Sequence, residues 1–491
     1  MAKLIRQLSI YPDLLCLHHA HAQRYPFLLE SVAHGTSHAR YDILFAFPGA
    51  TLALTDNDTL QVAAAPDILG NDSPRSPASP IPGMVPPAAL VHPCTPDFLQ
   101  NLDVWWEQAS AIYGADENPS LPFSGGWFIY LGYELAGQIE PRLALAASDI
   151  RDAASSDTSD ALPIAFATRI PAAIIVDHHM QCTFLVAEDA YAAMLDEMAH
   201  DLAHLTATPA MNAGPVICQL REDAPTHFLE GVQRVKEYIV AGDVFQVNLS
   251  RTYQATLAPD MAYMQLYQNL RKRNPAPFAG VALYKGNAIL SSSPERLLRV
   301  HNDMVEVRPI AGTHPRGMGD EDLALSQALL AHPKERAEHV MLIDLERNDL
   351  GRVCVPGSVQ VDELMVLESY AHVHHIVSNV RGIKRPGITP GQVIRAVFPG
   401  GTITGCPKVR CMEIIAELEQ SARGPYTGAM GYLNHNGNMD LNILIRTMWV
   451  KNDNVQFRVG AGIVADSVPD AELQETRAKA RGLLLALGEE G

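Results

Sequence analysis

The chain has 491 residues, 47% hydrophobic and 19% charged, so it is long enough for two or three domains with a sizeable core, and disorder is not its default. Its formal net charge of −18 excludes broad nucleic-acid binding, which needs basic patches to neutralise phosphate. A small anionic substrate stays open, because a local cluster of Arg and Lys dominates its own pocket.

Cys16, Cys94, Cys182, Cys218, Cys354, Cys406 and Cys411 are odd in number and lack C-x-x-C pairing, which points to reduced thiols in a cytoplasm. Met1 to Ile10 shows no signal peptide, and no run reaches the roughly eighteen apolar residues of a membrane span. A soluble cytoplasmic protein is expected.

In chain order, Tyr25 to Leu29, Tyr41 to Phe47 and Thr51 to Leu54 read as strands, and residues 70–97 as a Pro/Ser-rich excursion. A helix is expected over Phe98 to Tyr113 and a glycine-punctuated strand pair over 122–135. Residues 147–161 read as a connector. Strands at Pro171 to Val176 and Thr183 to Ala187 lead to a helix over Tyr191 to Leu205. The small, polar stretch at 207–214 marks a boundary between domains at 1–215 and 225–487. Beyond it, Thr226 to Ala241 has helical periodicity, with Thr226 as candidate cap. Strands and helices then alternate, and the pattern predicts a mixed fold rich in antiparallel sheet.

Candidate chemistry gathers in this second half. F-P-G-G-T-I-T-G-C-P-K, residues 398–408, is a glycine-rich loop feeding a helix over Val409 to Leu418. Its amides and Lys408 suit a carboxylate or phosphate, but Cys406 and Pro407 exclude a Walker A loop. Glu335 with Glu338, and Glu472 with Glu475, are i,i+3 pairs that each share a helix face. Facing each other they would need a cation, and oxygen-only ligation favours Mg²⁺ over zinc. Lys334, Arg336, Arg477 and Lys479 also offer these glutamates ordinary salt bridges. Between the pairs, the Asn348-Asp349 dipeptide invites a turn. His372, His374 and His375 alternate on a strand, and one is a candidate acid or base. Glu295 ends an apolar strand, and Arg308, Gly312, Thr313 and Arg316 fall in a turn. Arg446 pairs with a second glycine loop at 459–464 to suit a substrate with more than one carboxylate.

G-D-V-F-Q-V-N-L-S-R (242–251), S-P-E-R (293–296), P-I-A-G-T-x-P-R-G (309–317), E-H-V-M-L-I-D-L-x-R-N-D (338–349), F-P-G-G-T-I-T-G-C-P-K (398–408) and G-A-G-I-V-x-D-S (460–467) stand in the order of chorismate-using enzymes. The chain resembles component I of aminodeoxychorismate and anthranilate synthases, densely over 225–485 and more thinly before. The resemblance implies an α+β fold, a large antiparallel-rich β-sandwich with helices packed outside. It implies Mg²⁺ at Glu338 and Glu475, with Glu335 and Glu472 alongside. Glu295 matches the acid toward the departing C4 hydroxyl and His375 the active-site histidine. Gly312, Thr313, Thr402, Tyr426, Arg446, Gly460, Gly462 and Lys479 match substrate-cradling positions. Leu29, Glu30 and Ser31 match an element that forms a tryptophan site in relatives; the plain alternative is a strand end with Glu30 and Ser31 outward.

The expected reaction is amination of chorismate to 4-amino-4-deoxychorismate, toward para-aminobenzoate and folate. R-Y-D-I-L (40–44), Q-V-N-L (246–249) and P-G-G-T-I-T-G (399–405) resemble that branch. The alternative is anthranilate plus pyruvate, favoured by Ala311, which stands where the other branch usually has a nucleophilic lysine. Isochorismate and salicylate synthases use a lysine there too and fit less well; a non-catalytic chorismate-binding regulator is a remote alternative. No cysteine lies in a G-x-C-x-G turn, so ammonia is expected from a separate glutaminase subunit, component II.

Overall fold

The computed structural model describes residues 3–33, 39–56, 58–63, 93–113, 121–146, 161–205, 216–259, 261–315, 333–369 and 373–489. The Pro/Ser-rich excursion up to residue 92, most of the 147–161 connector and the boundary at 207–214 lie outside them.

Two antiparallel sheets, of 12 and 11 strands among the described residues, form the frame. The first runs from the N-terminal strand Lys3–Leu8 through Cys182–Glu188, Ala172–Asp177, Tyr41–Ala46 and Phe27–Glu30. It continues through Phe278–Tyr284, Asn287–Ser293, Thr447–Lys451, Asn454–Ile463, Gln246–Leu257 and Ile217–Glu222. The second joins Gly126–Leu131, Ala165–Ile170 and Thr51–Leu54 to Ala429–Asn434, Met439–Ile443, Arg296–His301 and Val373–Ile383. Strands from either side of the 207–214 segment thus share both sheets: Leu28 faces Val281 in one, and Gly431 faces Ile129 in the other.

The inner faces interdigitate through aromatic side chains, because alternate residues of each strand point inward. Phe27 stacks on Phe128 with centroids 4.1 Å apart, and Phe45, Phe166, Ile289 and Trp449 close the same cluster. The outer face of the first sheet is covered by the helices Leu14–Ala20, Met194–Ala203, Tyr263–Arg273 and Pro469–Ala486. The second is covered by Phe98–Tyr113, Pro333–Gly351 and Pro390–Val397. This is the expected sandwich with helices outside.

A buried polar bridge ties the sheets together. Arg169 donates two 2.6 Å bonds to Glu188, and His435 lies 3.0 Å from the same carboxyl. Burial would raise Glu188, but Arg169 and His435 outweigh it and hold the carboxyl below its usual value.

Several local expectations need correction. The stretch 122–135 is one strand, Gly126–Leu131, followed by a 3₁₀ turn at Tyr133–Leu135. The helix Pro225–Ala241 begins with Pro225 in its first turn, so Thr226 lies inside it and Ala224 is the cap. Asn348-Asp349 makes no turn, because the helix Pro333–Gly351 runs through it; that helix supports the site.

Candidate active site

Glu295 follows the strand Asn287–Ser293, and its backbone carbonyl accepts from the Ile443 amide at 3.0 Å. Its carboxyl is buried, with Thr402 Oγ1 donating to Oε1 at 2.7 Å and the Ile310 amide donating as well. Burial raises it from 4.5 to about 7, although both hydrogen bonds and the Lys479 charge oppose the rise. The group can therefore hold and release a proton near neutrality.

The floor is the strand Asn454–Ile463. A Cβ on Gly460 would lie 2.6 Å from both Asn248 Oδ1 and the Tyr426 hydroxyl. One on Gly462 would lie 2.3 Å from Gln246 Nε2 and 3.6 Å from Glu338 Oε1. Glycine is required here for close approach. Gln246 Nε2 donates to Glu338 Oε1 at 2.8 Å. Gln246 Oε1 and Asn248 Oδ1 are buried acceptors with no partner among the described residues, so this floor is short of donors. At Gly460, Lys479 Nζ donates to the backbone carbonyl at 3.1 Å and sits 2.7 Å from Glu475.

Arg446 follows the strand Met439–Ile443 with φ of 52°, in the left-handed region, and is half-buried. Its backbone carbonyl accepts from the Ser292 amide at 3.2 Å, and its guanidinium makes no hydrogen bond or ion pair among the described residues. Burial lowers its pKa, while the neighbouring Tyr426 phenol opposes the shift. Tyr426 itself is pushed up to about 12 by burial and stays a donor. His375 is buried on the strand Val373–Ile383, opposite Thr313 in register. Burial lowers it to about 4, so its ring is neutral at physiological pH, and Nδ1 lies 3.3 Å from the Gly312 carbonyl. With the proton assigned to Nδ1 to make that bond, Nε2 is the acceptor nitrogen. Gly312 sits at a register shift with φ of 67°, which glycine accommodates.

Other expected residues are placed differently. Residues 307–317 form a strand over Ile310–Pro315 rather than a turn. Arg308 is used by Glu363 and Glu368, each at 2.6 Å, and Arg316 lies outside the described residues. Lys408 is no free anion receptor: it pairs with Asp349 and donates to the Val397 carbonyl at 3.0 Å. Arg477 pairs with Glu222 rather than with its own helix face. His372 and the side chains of Ala311, Thr313, Glu335 and His374 lie outside the described residues.

No group of three or more His, Cys, Asp or Glu side chains gathers among the described residues. Glu338 and, through Lys479, Glu475 nevertheless reach the two glycines of one strand, while Glu472 is buried on the same helix as Glu475. The oxygens of these residues and the orphaned Gln246 Oε1 are of the type a hard cation such as Mg²⁺ takes, but among the described residues the carboxylates do not stand together as one ligand group.

Leu29, Glu30 and Ser31 do not point outward. Glu30 and Ser31 are buried, and all three line a cavity of about 440 Å³ with Tyr41, Arg296 and Tyr432. Glu30 accepts from the Tyr267 hydroxyl at 2.6 Å and lies 3.2 Å from Arg271; burial pushes it up to about 8.

Gln246 and Asn248 were missed as site residues. Their signal is the alternation of polar Gln246, Asn248, Ser250 and Thr252 along a strand that is otherwise apolar at Val247 and Leu249. Arg423 supports them by donating to the Asn248 carbonyl at 2.8 Å while paired with buried Glu419 at 2.7 Å.

A family model described as chorismate binding enzyme matches residues 91–485. The chain belongs to the chorismate binding enzyme family. An anthranilate synthase component I-like protein of Synechocystis is 42% identical over 75% of this chain and 73% of its own length. An aminodeoxychorismate synthase component 1 of Bacillus subtilis is 40% identical over 76% of this chain and 79% of its own. The crystal structure of anthranilate synthase component I from Streptococcus pneumoniae superposes with a TM-score of 0.74 at 30% identity, covering 91% of this chain and 92% of that one. This chorismate-utilising enzyme therefore has relatives named for both products, and the component naming implies a partner component.

Proposed function

We propose that this enzyme aminates chorismate in a Mg²⁺-dependent reaction, with ammonia from a separate glutaminase subunit, and releases 4-amino-4-deoxychorismate. The observation that carries the chorismate reading is a guanidinium, Arg446, with no partner among the described residues, in a site that also holds a buried, protonatable Glu295. The first suits a substrate carboxylate and the second a departing hydroxyl.

Arg446 and Lys479 orient the substrate's carboxylates, and the Tyr426 hydroxyl and the orphaned acceptors of Gln246 and Asn248 meet its polar groups. Glu295 gives its proton to the C4 oxygen as the C–O bond breaks and water leaves, ammonia supplies the nitrogen of the new C4–N bond, and the proton that this nitrogen then sheds restores the Glu295 acid. His375, held neutral by burial, lies against the Gly312 carbonyl and takes no part as an acid at neutral pH. Mg²⁺, held by Glu338 and Glu475 with Glu335 and Glu472 alongside, would neutralise a substrate carboxylate and the charge developing near it.

The product assignment is supported by the Gly400-Gly401 form of the loop, of which the chain's own packing demands only the second glycine. A Cβ at Gly401 would lie 2.4 Å from Leu345 Cδ2. Ala311 favours the second reading, in which ammonia itself attacks C2 and pyruvate is eliminated to give anthranilate, since this side chain has no amine to attack C2. Within the same reading, Leu29, Glu30 and Ser31 belong to a tryptophan-like site.

The separate ammonia source is supported by the thiols. Burial raises Cys354 to about 11 and raises Cys406 and Cys411 as well, the opposite of an activated nucleophile. The purified chain with Mg²⁺ is expected to consume chorismate when given ammonium and not when given glutamine. Glutamine hydrolysis by the chain alone would overturn the partner assignment; no consumption with ammonium would favour the non-catalytic regulator.

A further inference from the structure

The loop that presents Thr402 to Glu295 is fastened from behind by groups that the proposed chemistry does not use. Its Gly401 amide hydrogen-bonds to the Glu346 carboxyl, and a Cβ on Gly401 would lie 3.2 Å from Glu346 Oε1. The Leu345 side chain fills the space directly beneath Gly401. At the loop's far end Lys408 is clamped between Asp349 and the Val397 carbonyl, which draws the two ends together. Leu345, Glu346 and Asp349 all lie on the helix Pro333–Gly351, which also carries Glu338. One rigid element therefore sets the position of the loop and of Glu338 at the floor.

Glu346 and Asp349 are 5% exposed each, and burying carboxyls is costly unless something needs them there. The loop has its own internal bonds: Thr404 Oγ1 donates to the Gly400 carbonyl at 2.9 Å, and the Thr404 carbonyl accepts from the Asn248 amide at 2.9 Å. Those bonds fix Gly400 and Thr404 and leave the Gly401 amide, one residue before Thr402, to Glu346.

We propose that Glu346 is a positioning residue for the acid: by holding the Gly401 amide it sets Thr402 against Glu295, while the Asp349–Lys408 pair anchors the loop's other end. The inference rests on the reading of Glu295 as the acid. The charged groups facing Glu346 are Asp349, Lys408 and, across the loop, Glu295; those acting on Glu295 are Lys479 and the two donors Thr402 and Ile310. Burial and the neighbouring Asp349 raise Glu346, which favours its neutral form, and Lys408 offsets the Asp349 charge beside it. The layer behind Glu295 then adds little net charge to it.

The test compares Glu346→Ala, Glu346→Gln and Glu295→Gln for kcat, KM and the pH profile of chorismate turnover with ammonium and Mg²⁺. Glu346→Ala is expected to lower kcat about tenfold or more with KM nearly unchanged, because Thr402 is misplaced rather than the substrate. It should also move the alkaline limb of kcat to higher pH, since the Thr402 hydrogen bond that lowers the Glu295 pKa is lost. Glu346→Gln keeps an oxygen for the Gly401 amide and should restore both kcat and the limb. If Glu346→Ala does not fold, Glu346→Asp, which retracts the carboxyl by one methylene, takes its place with the same expected split. Glu295→Gln inactive beside a Glu346→Ala of wild-type kcat and limb would overturn the positioning role. A fully active Glu295→Gln would instead overturn the acid assignment on which it rests.

Discussion

Replacing Gly401 by Ala probes how tightly the loop is set. The new methyl carbon would sit 2.4 Å from Leu345 Cδ2 and 2.9 Å from its Cγ, well inside the roughly 3.5–4.0 Å of an ordinary carbon contact. Relief demands a movement of about 1 Å by the loop or by Leu345, itself buried at 8% exposure. Overpacking of that size costs about 1–3 kcal/mol. At Gly400 the nearest atom to a new Cβ would be Ile443 Cδ1 at 3.1 Å, the end of a flexible side chain, so Gly400→Ala should cost less than about 1 kcal/mol. The activity effect should be larger than the stability effect, because a loop displaced by about 1 Å moves Thr402 off Glu295 and can lower kcat about a hundredfold. Denaturant midpoints and kcat for the two variants, together with the double variant Gly401→Ala/Leu345→Ala, read this directly. The double variant should be destabilised less than the sum of its parts, since the methyl occupies the space Leu345 vacates. Equal midpoints and equal kcat for Gly400→Ala and Gly401→Ala would show that Leu345 does not hold the loop in place.

Glu295→Gln should lower kcat about 10²–10⁴-fold, the usual contribution of a general acid, yet stabilise the fold at alkaline pH. Glu295 is raised from 4.5 to about 7, so its folded form favours the proton; stability is full below pH 4.5 and declines as pH rises through 7. The decline amounts to about 3 kcal/mol, and unfolding at pH 5 and pH 8 should show Glu295→Gln gaining only at the higher pH. Arg169→Met should cost about 3–5 kcal/mol by stranding buried Glu188, and adding Glu188→Leu should recover much of the loss; a single variant melting like the wild type would sink the bridge between sheets. Glu338→Gln should abolish both turnover and the heat of Mg²⁺ binding in calorimetry, and undiminished binding would remove Glu338 from the metal site.

Much of the sandwich was legible because strand and helix periodicities are strong: Phe98–Tyr113 and Thr51–Leu54 match their expected bounds. The sharing of both sheets by strands from the two halves was not legible, since pairing such as Leu28 with Val281 leaves no mark in local pattern. Asn348-Asp349 misled because a turn-favouring dipeptide was read locally, while the helix around it is held by long-range packing of Leu350 and Ile343. In the site, residue types offered Glu295, Arg446 and one of three histidines, and the family resemblance singled out His375, but charge alone did not tell which cations were free. Lys408 suited a carboxylate or phosphate and Arg308 was read only as part of a turn, while their partners Asp349, Glu363 and Glu368 are decided by tertiary placement. Glu30 and Ser31 became a cavity wall only when the strand Phe278–Tyr284 packed beside theirs.

The most direct measurement is the mass of the product formed from chorismate, Mg²⁺ and ammonium by the purified chain. The expected product is 4-amino-4-deoxychorismate, with formation falling as pH rises through about 7 where Glu295 loses its proton. Anthranilate and pyruvate as the only products would contradict the assigned branch and make Ala311 the deciding residue, and isochorismate would contradict the amination itself.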